Sequence, residues 1–101
     1  GQRPTVVLGF AREKDWPAML RRLAPAARRL VLTAAATPRA VPAAALAAEA
    51  RALRAPADTA PTVPDALRDT LTQARPDELI VVTGSLYVVG EALRWWQAQR
   101  G

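Results

Sequence analysis

The run Leu79-Ile80-Val81-Val82, halted at Thr83-Gly84-Ser85 and followed by Leu86-Tyr87-Val88-Val89-Gly90-Glu91-Ala92-Leu93, constrains this chain more than any other stretch. A continuous apolar run rich in β-branched residues reads as a strand buried on both faces, the pattern of a parallel sheet. Gly84 permits backbone angles closed to other residues, so a sharp turn fits there. Ser85 is a good N-cap, and Leu86, Val89, Gly90 and Leu93 recur at helical spacing, with Trp96 one turn on. Strand, Gly-Ser turn and helix start together bring free helical N–H groups to the carboxyl end of a strand. That arrangement favours an anion such as carboxylate or phosphate, although many α/β units carry the same turn with no ligand.

The remaining sequence repeats the alternation. Gly1 to Pro4 read as a leader, and Thr5 to Phe10 as the first strand. After a loop, Asp15 and Pro17 suit a helix start, with Trp16, Met19, Leu20 and Leu23 on one face. Pro25 ends or kinks that helix, and Leu30 to Thr33 form the second strand. A loop from Ala34 to Val41 leads to Pro42 and a second helix facing inward through Leu46, Ala47, Ala50 and Leu53. Ala57 to Thr62 read as a short edge strand, because Pro61 has no N–H to donate to a ladder. Pro64 and Asp65 begin a third helix, with Leu67, Thr70, Leu71 and Ala74 inward, and Arg75-Pro76-Asp77 breaks it. Trp95 and Trp96 lie about 100° apart on a helix, so only one can face a core.

This order, β-α-β-α-β-α-β-α, predicts an α/β fold: a three-layer α/β/α Rossmann-like sheet of about four mainly parallel strands with helices on both faces. The 101 residues fit a single domain. Doubly wound sheets bind ligands beyond the carboxyl ends of their strands, where the winding reverses. A strand order of 3-2-1-4 would bring the loops Gly9–Asp15 and Thr83–Ser85 side by side at that reversal.

Composition removes several chemistries. The chain has no cysteine and no histidine, which excludes Cys- and His-based catalysis, the usual zinc sites and disulfides within it. No apolar run approaches the length of a membrane span, and no signal peptide precedes the first strand; a cytoplasmic protein is expected. The net charge is +5, with arginine far outnumbering lysine. The arginines are spread along the helices without interleaved aromatic residues, so a solvated surface accounts for them better than nucleic-acid binding.

Val81-Val82-Thr83-Gly84-Ser85-Leu86-Tyr87-Val88-Val89-Gly90-Glu91-Ala92 resembles the C-terminal signature of folylpolyglutamate synthases and dihydrofolate synthases, members of the Mur ligase family. Val7-Leu8-Gly9-Phe10 followed by Lys14-Asp15-Trp16, and Leu30-Val31-Leu32-Thr33 followed by Pro38-Arg39-Ala40, match the same family in order and spacing. The resemblance covers nearly the whole chain and implies a C-terminal domain of a larger ligase. Such enzymes use ATP, with Mg, to convert a folate carboxylate to an acyl phosphate, which the amino group of L-glutamate attacks. The C-terminal domain closes over the nucleotide site of an N-terminal ATPase domain of the same polypeptide.

By this resemblance Ser85, with Thr83, Gly84 and Tyr87, would lie near the incoming glutamate. Lys14, Asp15 and Arg39 would lie near nucleotide or phosphate. No residue is assigned a catalytic role, and none a metal. The bland readings stand beside these: Lys14 and Arg39 as solvated cations, Asp15 as a helix cap, Tyr87 as a packing residue, and Glu91 as a partner of Arg94. No GK[ST] phosphate loop is present, nor the Asp-Gly-Ala-His-Asn segment that opens the family's C-terminal domain. The chain alone is therefore expected to bind neither ATP nor Mg and to be inactive. Two rivals remain: a stand-alone flavodoxin-like module for a nucleotide or partner protein, and a domain of another Mur-type amide ligase.

Overall fold

In the computed structural model, which describes residues 2–100, a four-stranded sheet runs in the order β3-β2-β1-β4 with every pairing parallel. The strands are β1 (Thr5–Gly9), β2 (Arg29–Leu32), β3 (Ala57–Thr59) and β4 (Ile80–Gly84). Helices α1 (Trp16–Leu23), α2 (Ala43–Ala52), α3 (Val63–Gln73) and α4 (Leu86–Arg100) follow them in turn. This is the predicted α/β three-layer arrangement. Within the leader reading, Gly1 lies outside the described residues; Arg3 and Pro4 bond to Pro25 and Arg28 beside β2.

Alternation along the inner strands sorts the core into two halves. Val6, Leu8, Leu30 and Leu32 meet Leu20 of α1 and Leu46 and Ala50 of α2 on one face. Val7 and Val31 meet Val63, Ala66 and Leu67 of α3 and Val88 and Ala92 of α4 on the other. β1 is buried along its whole length, as its unbroken apolar run requires.

β4 departs from expectation. It is half-buried throughout, not buried on both faces, because it forms an edge and pairs only with β1. β3 is the other edge and is exposed, as expected, but it spans only Ala57–Thr59. α4 turns most of its helically spaced apolar stripe away from the core. Val88, Ala92 and Trp95 pack inward, whereas Leu86 is 89% exposed, Leu93 56% and Trp96 48%. Two apolar stripes run along this helix, and spacing alone selected the outward one. On α3, Leu71 likewise points outward, and Val63 and Ala66 fill the core instead.

Helix ends follow local chemistry. Thr62 caps α3 by accepting the Asp65 N–H at 3.1 Å, and Pro64 occupies the first turn, where no N–H is needed. α1 ends at Leu23 in a short 3₁₀ turn, Ala24–Ala26, built around Pro25. At the amino end of the sheet the Glu78 side chain is almost enclosed. It accepts the buried Thr5 hydroxyl at 2.7 Å and the Arg75 N–H at 3.3 Å, with Arg28 at 3.5 Å. The Thr5 hydrogen bond, aided by the Arg75 N–H and the arginine charges, holds its carboxyl below the usual glutamate value despite the opposing effect of burial.

Candidate functional site

Gly9 and Gly84 face each other across the β1–β4 ladder, and the chain turns away from both. Gly84 has φ +116°, a conformation that side chains disfavour, and a β-carbon on it would collide with the Gly9 carbonyl. The Ser85 N–H donates to that carbonyl at 3.0 Å. The turn between β4 and α4 is thereby locked against the loop that follows β1. The two loops expected to share a rim do share it.

Between them lies an open depression of about 450 Å³. Lys14, Glu13 and Phe10 line it from the β1–α1 loop, Met19 from α1, and Gly84, Ser85, Leu86 and Tyr87 from the start of α4. The Ser85 hydroxyl oxygen accepts the Val88 N–H at 3.2 Å and so caps α4, which leaves its own proton free to donate. The helix start presents fewer free donors than the sequence suggested. Ser85 N–H is held by Gly9 and Val88 N–H by the Ser85 hydroxyl, so Leu86 and Tyr87 carry the N–H groups without a partner among the described residues. Two N–H groups, a hydroxyl and the exposed Lys14 of the β1–α1 loop form a set suited to a carboxylate or phosphate.

The other predicted residues lie apart from this depression. Thr83 pairs with Leu8 inside the ladder and is half-buried. Asp15 stands at the N-cap position of α1 but accepts no capping hydrogen bond there, so its expected structural role is not realised. Arg39 sits on the β2–α2 loop, 3.6 Å from Glu13, and that pair is exposed and correspondingly weak. Its backbone matters more: the Arg12 N–H donates to the Arg39 carbonyl at 2.8 Å and the Val41 N–H to the Phe10 carbonyl at 2.9 Å. The β1–α1 and β2–α2 loops are zipped together by these bonds.

Sequence reasoning missed Glu91. It makes no ion pair with Arg94 among the described residues; its carboxylate instead accepts the Ala36 N–H at 2.8 Å. Nothing in the spacing signals a contact between residues so distant in the chain. The described residues hold no group of three or more His, Cys, Asp or Glu side chains fit for a metal ion, and the sequence has no phosphate loop. No helix among the described residues is long and apolar enough to cross a membrane.

Residues 1–86 match the family model described as Mur ligase, glutamate ligase domain. The chain belongs to this family. Solved structures agree on the fold of the glutamate ligase domain. Escherichia coli FolC in complex with DHPP and ADP aligns over 100% of this chain with a TM-score of 0.86 and 18% identity. The bifunctional folylpolyglutamate synthase/dihydrofolate synthase of Yersinia pestis CO92 covers 94% with a TM-score of 0.82 and 22% identity. Mycobacterium tuberculosis folylpolyglutamate synthase, complexed with ADP and AMPPCP, covers 93% with a TM-score of 0.74 and 29% identity. This domain spans between 22% and 24% of the length of those chains. Comparison with curated proteins gives no match.

Proposed function

We propose that residues 1–101 are the C-terminal domain of a longer ATP-dependent ligase that joins L-glutamate to dihydropteroate or folate. The observation that carries this reading is the shared rim: Lys14 and the Ser85-capped helix start open onto one depression on a glutamate ligase domain. In this reading the glutamate carboxylate is held by the N–H groups of Leu86 and Tyr87 and by the Ser85 hydroxyl, beside Gly84, Thr83 and Tyr87. Lys14, Asp15 and Arg39 face the phosphate side. The domain orients glutamate and supplies no nucleophile, since Ser85 has no histidine to activate it. The glutamate amine attacks the activated folate carboxyl, an amide bond forms and phosphate leaves. Nucleotide and Mg are held by the N-terminal ATPase domain of the same polypeptide, in the cytoplasm, and the exposed Leu86 and Met19 border the surface that meets it.

The test is a steady-state assay of the full polypeptide. Ser85→Ala should raise KM for L-glutamate and Lys14→Ala should raise KM for ATP, and residues 1–101 alone should show no ligation. Absence of glutamate-dependent ATP turnover by the intact polypeptide would refute the reading. Calorimetric nucleotide binding by residues 1–101 alone would favour the stand-alone module instead.

A further inference from the structure

The carboxyl rim is a closed circuit of hydrogen bonds, and one side chain completes it. Ser85 N–H ties the β4–α4 turn to the β1–α1 loop through the Gly9 carbonyl. Arg12 N–H and Val41 N–H tie the β1–α1 loop to the β2–α2 loop. The Arg12 guanidinium adds a bond to the Ala40 carbonyl at 3.2 Å. Among the described residues the circuit returns from the β2–α2 loop to α4 only through Glu91, whose carboxylate accepts the Ala36 N–H at 2.8 Å across 55 residues of chain.

We propose that Glu91 is a positioning residue: it holds the β2–α2 loop, which is zipped to the β1–α1 loop that carries Lys14, at a fixed distance from the Ser85 helix start, and so sets the spacing of the rim. Three facts favour this over an idle surface carboxylate. The bond joins a helix to a loop on another strand, so it constrains tertiary placement and not local helix stability. An ionised acceptor makes it stronger than a bond between neutral groups. Arg94 lines the same shallow depression as Glu91 and Ala36, yet the carboxylate is committed to the backbone. Removing Glu91 leaves the Ala36 amide to water and frees the middle of the loop, while the Arg12–Arg39 zipper still holds its far end. Rim width bears on catalysis only if the ligase reading holds; the clasp itself rests on geometry alone.

Two measurements test it. In the 101-residue chain, Glu91→Ala should speed amide exchange at Ala36 by about tenfold, the loss of one hydrogen bond to a charged acceptor. Glu91→Gln, which keeps an acceptor oxygen at the same reach but loses the charge, should fall between wild type and Glu91→Ala. Glu91→Asp, one methylene shorter, should behave like Ala. In the intact polypeptide, Glu91→Ala should raise KM for L-glutamate severalfold with kcat little changed, and Glu91→Gln should restore it in part. Unchanged Ala36 exchange in Glu91→Ala, or lost protection with an unaltered glutamate KM, would overturn the proposal. An intact wild-type polypeptide without ligase activity would refute the ligase reading separately, and Ala36 exchange would then decide the clasp.

Discussion

The carbonyl oxygen of Gly9 occupies the space that a β-carbon on Gly84 would need. Two neighbouring strand ends can therefore approach closely enough for Ser85 N–H to reach that carbonyl. Gly84→Ala should destabilise the fold by about 3 kcal/mol, combining a disfavoured φ with a backbone clash. Gly9→Ala meets the Thr33 carbonyl at 2.6 Å and Val88 at 3.0 Å, and should cost about 2 kcal/mol by overpacking. Urea unfolding measures both. A loss below about 1 kcal/mol at Gly84 would contradict the close approach.

Thr33 is fully buried, and its hydroxyl oxygen finds no hydrogen-bond partner among the described residues. Thr33→Val removes an unsatisfied polar group at nearly constant volume. The thermal midpoint should rise, by the equivalent of about 1 kcal/mol. A clear fall would mean that the hydroxyl is satisfied, for instance by an ordered water.

Glu78 makes stability depend on acid. Its carboxyl titrates below the ordinary value of 4.5 when folded, so the folded state favours the ionised form. The resulting stabilisation is complete above the unfolded value and is lost as pH falls from about 4.5 through the lower folded value. Glu78→Gln should flatten the pH dependence of the thermal midpoint across that window. Equal acid slopes for wild type and variant would disprove the assignment.

The orientation of α4 can be checked by contrasting its two stripes. Val88→Ala, at 1% exposure, should cost roughly 2 kcal/mol by leaving a cavity. Leu86→Gln and Leu93→Gln, on the outward stripe, should each change stability by no more than about 0.5 kcal/mol. Equal losses at Val88 and Leu93 would mean that the helix is turned the other way.

The hydrophobic runs of β1 and β2, and the breaks at Pro25, Pro42 and Arg75-Pro76, made the element order legible. The crossover rule then converted that order into a parallel sheet. Burial of β4 was not legible, because the same apolar run serves an edge strand and a central one. The inward face of α4 was not legible for a related reason: Leu86, Val89, Leu93 and Trp96 form as good a stripe as Val88, Ala92 and Trp95. At the site, the Gly84-Ser85 turn and Lys14 could be found from local pattern. The Glu91–Ala36 bond could not, because it depends on where α4 lies over β1 and on how the β2–α2 loop folds back. Asp15 had the right residue type for a cap, but with ψ at 69° its side chain makes no capping hydrogen bond.

The zipper between the β1–α1 and β2–α2 loops, and the Ser85–Gly9 tie, are made of peptide groups. Peptide groups are common to all sequences, so a frame built from them does not register most changes of side chain. That is a physical reason why a relative with 18% identity can still superpose with a TM-score of 0.86. Side chains above the frame are free to drift or to be retuned for a different acceptor, while the spacing of the loops beneath them stays put.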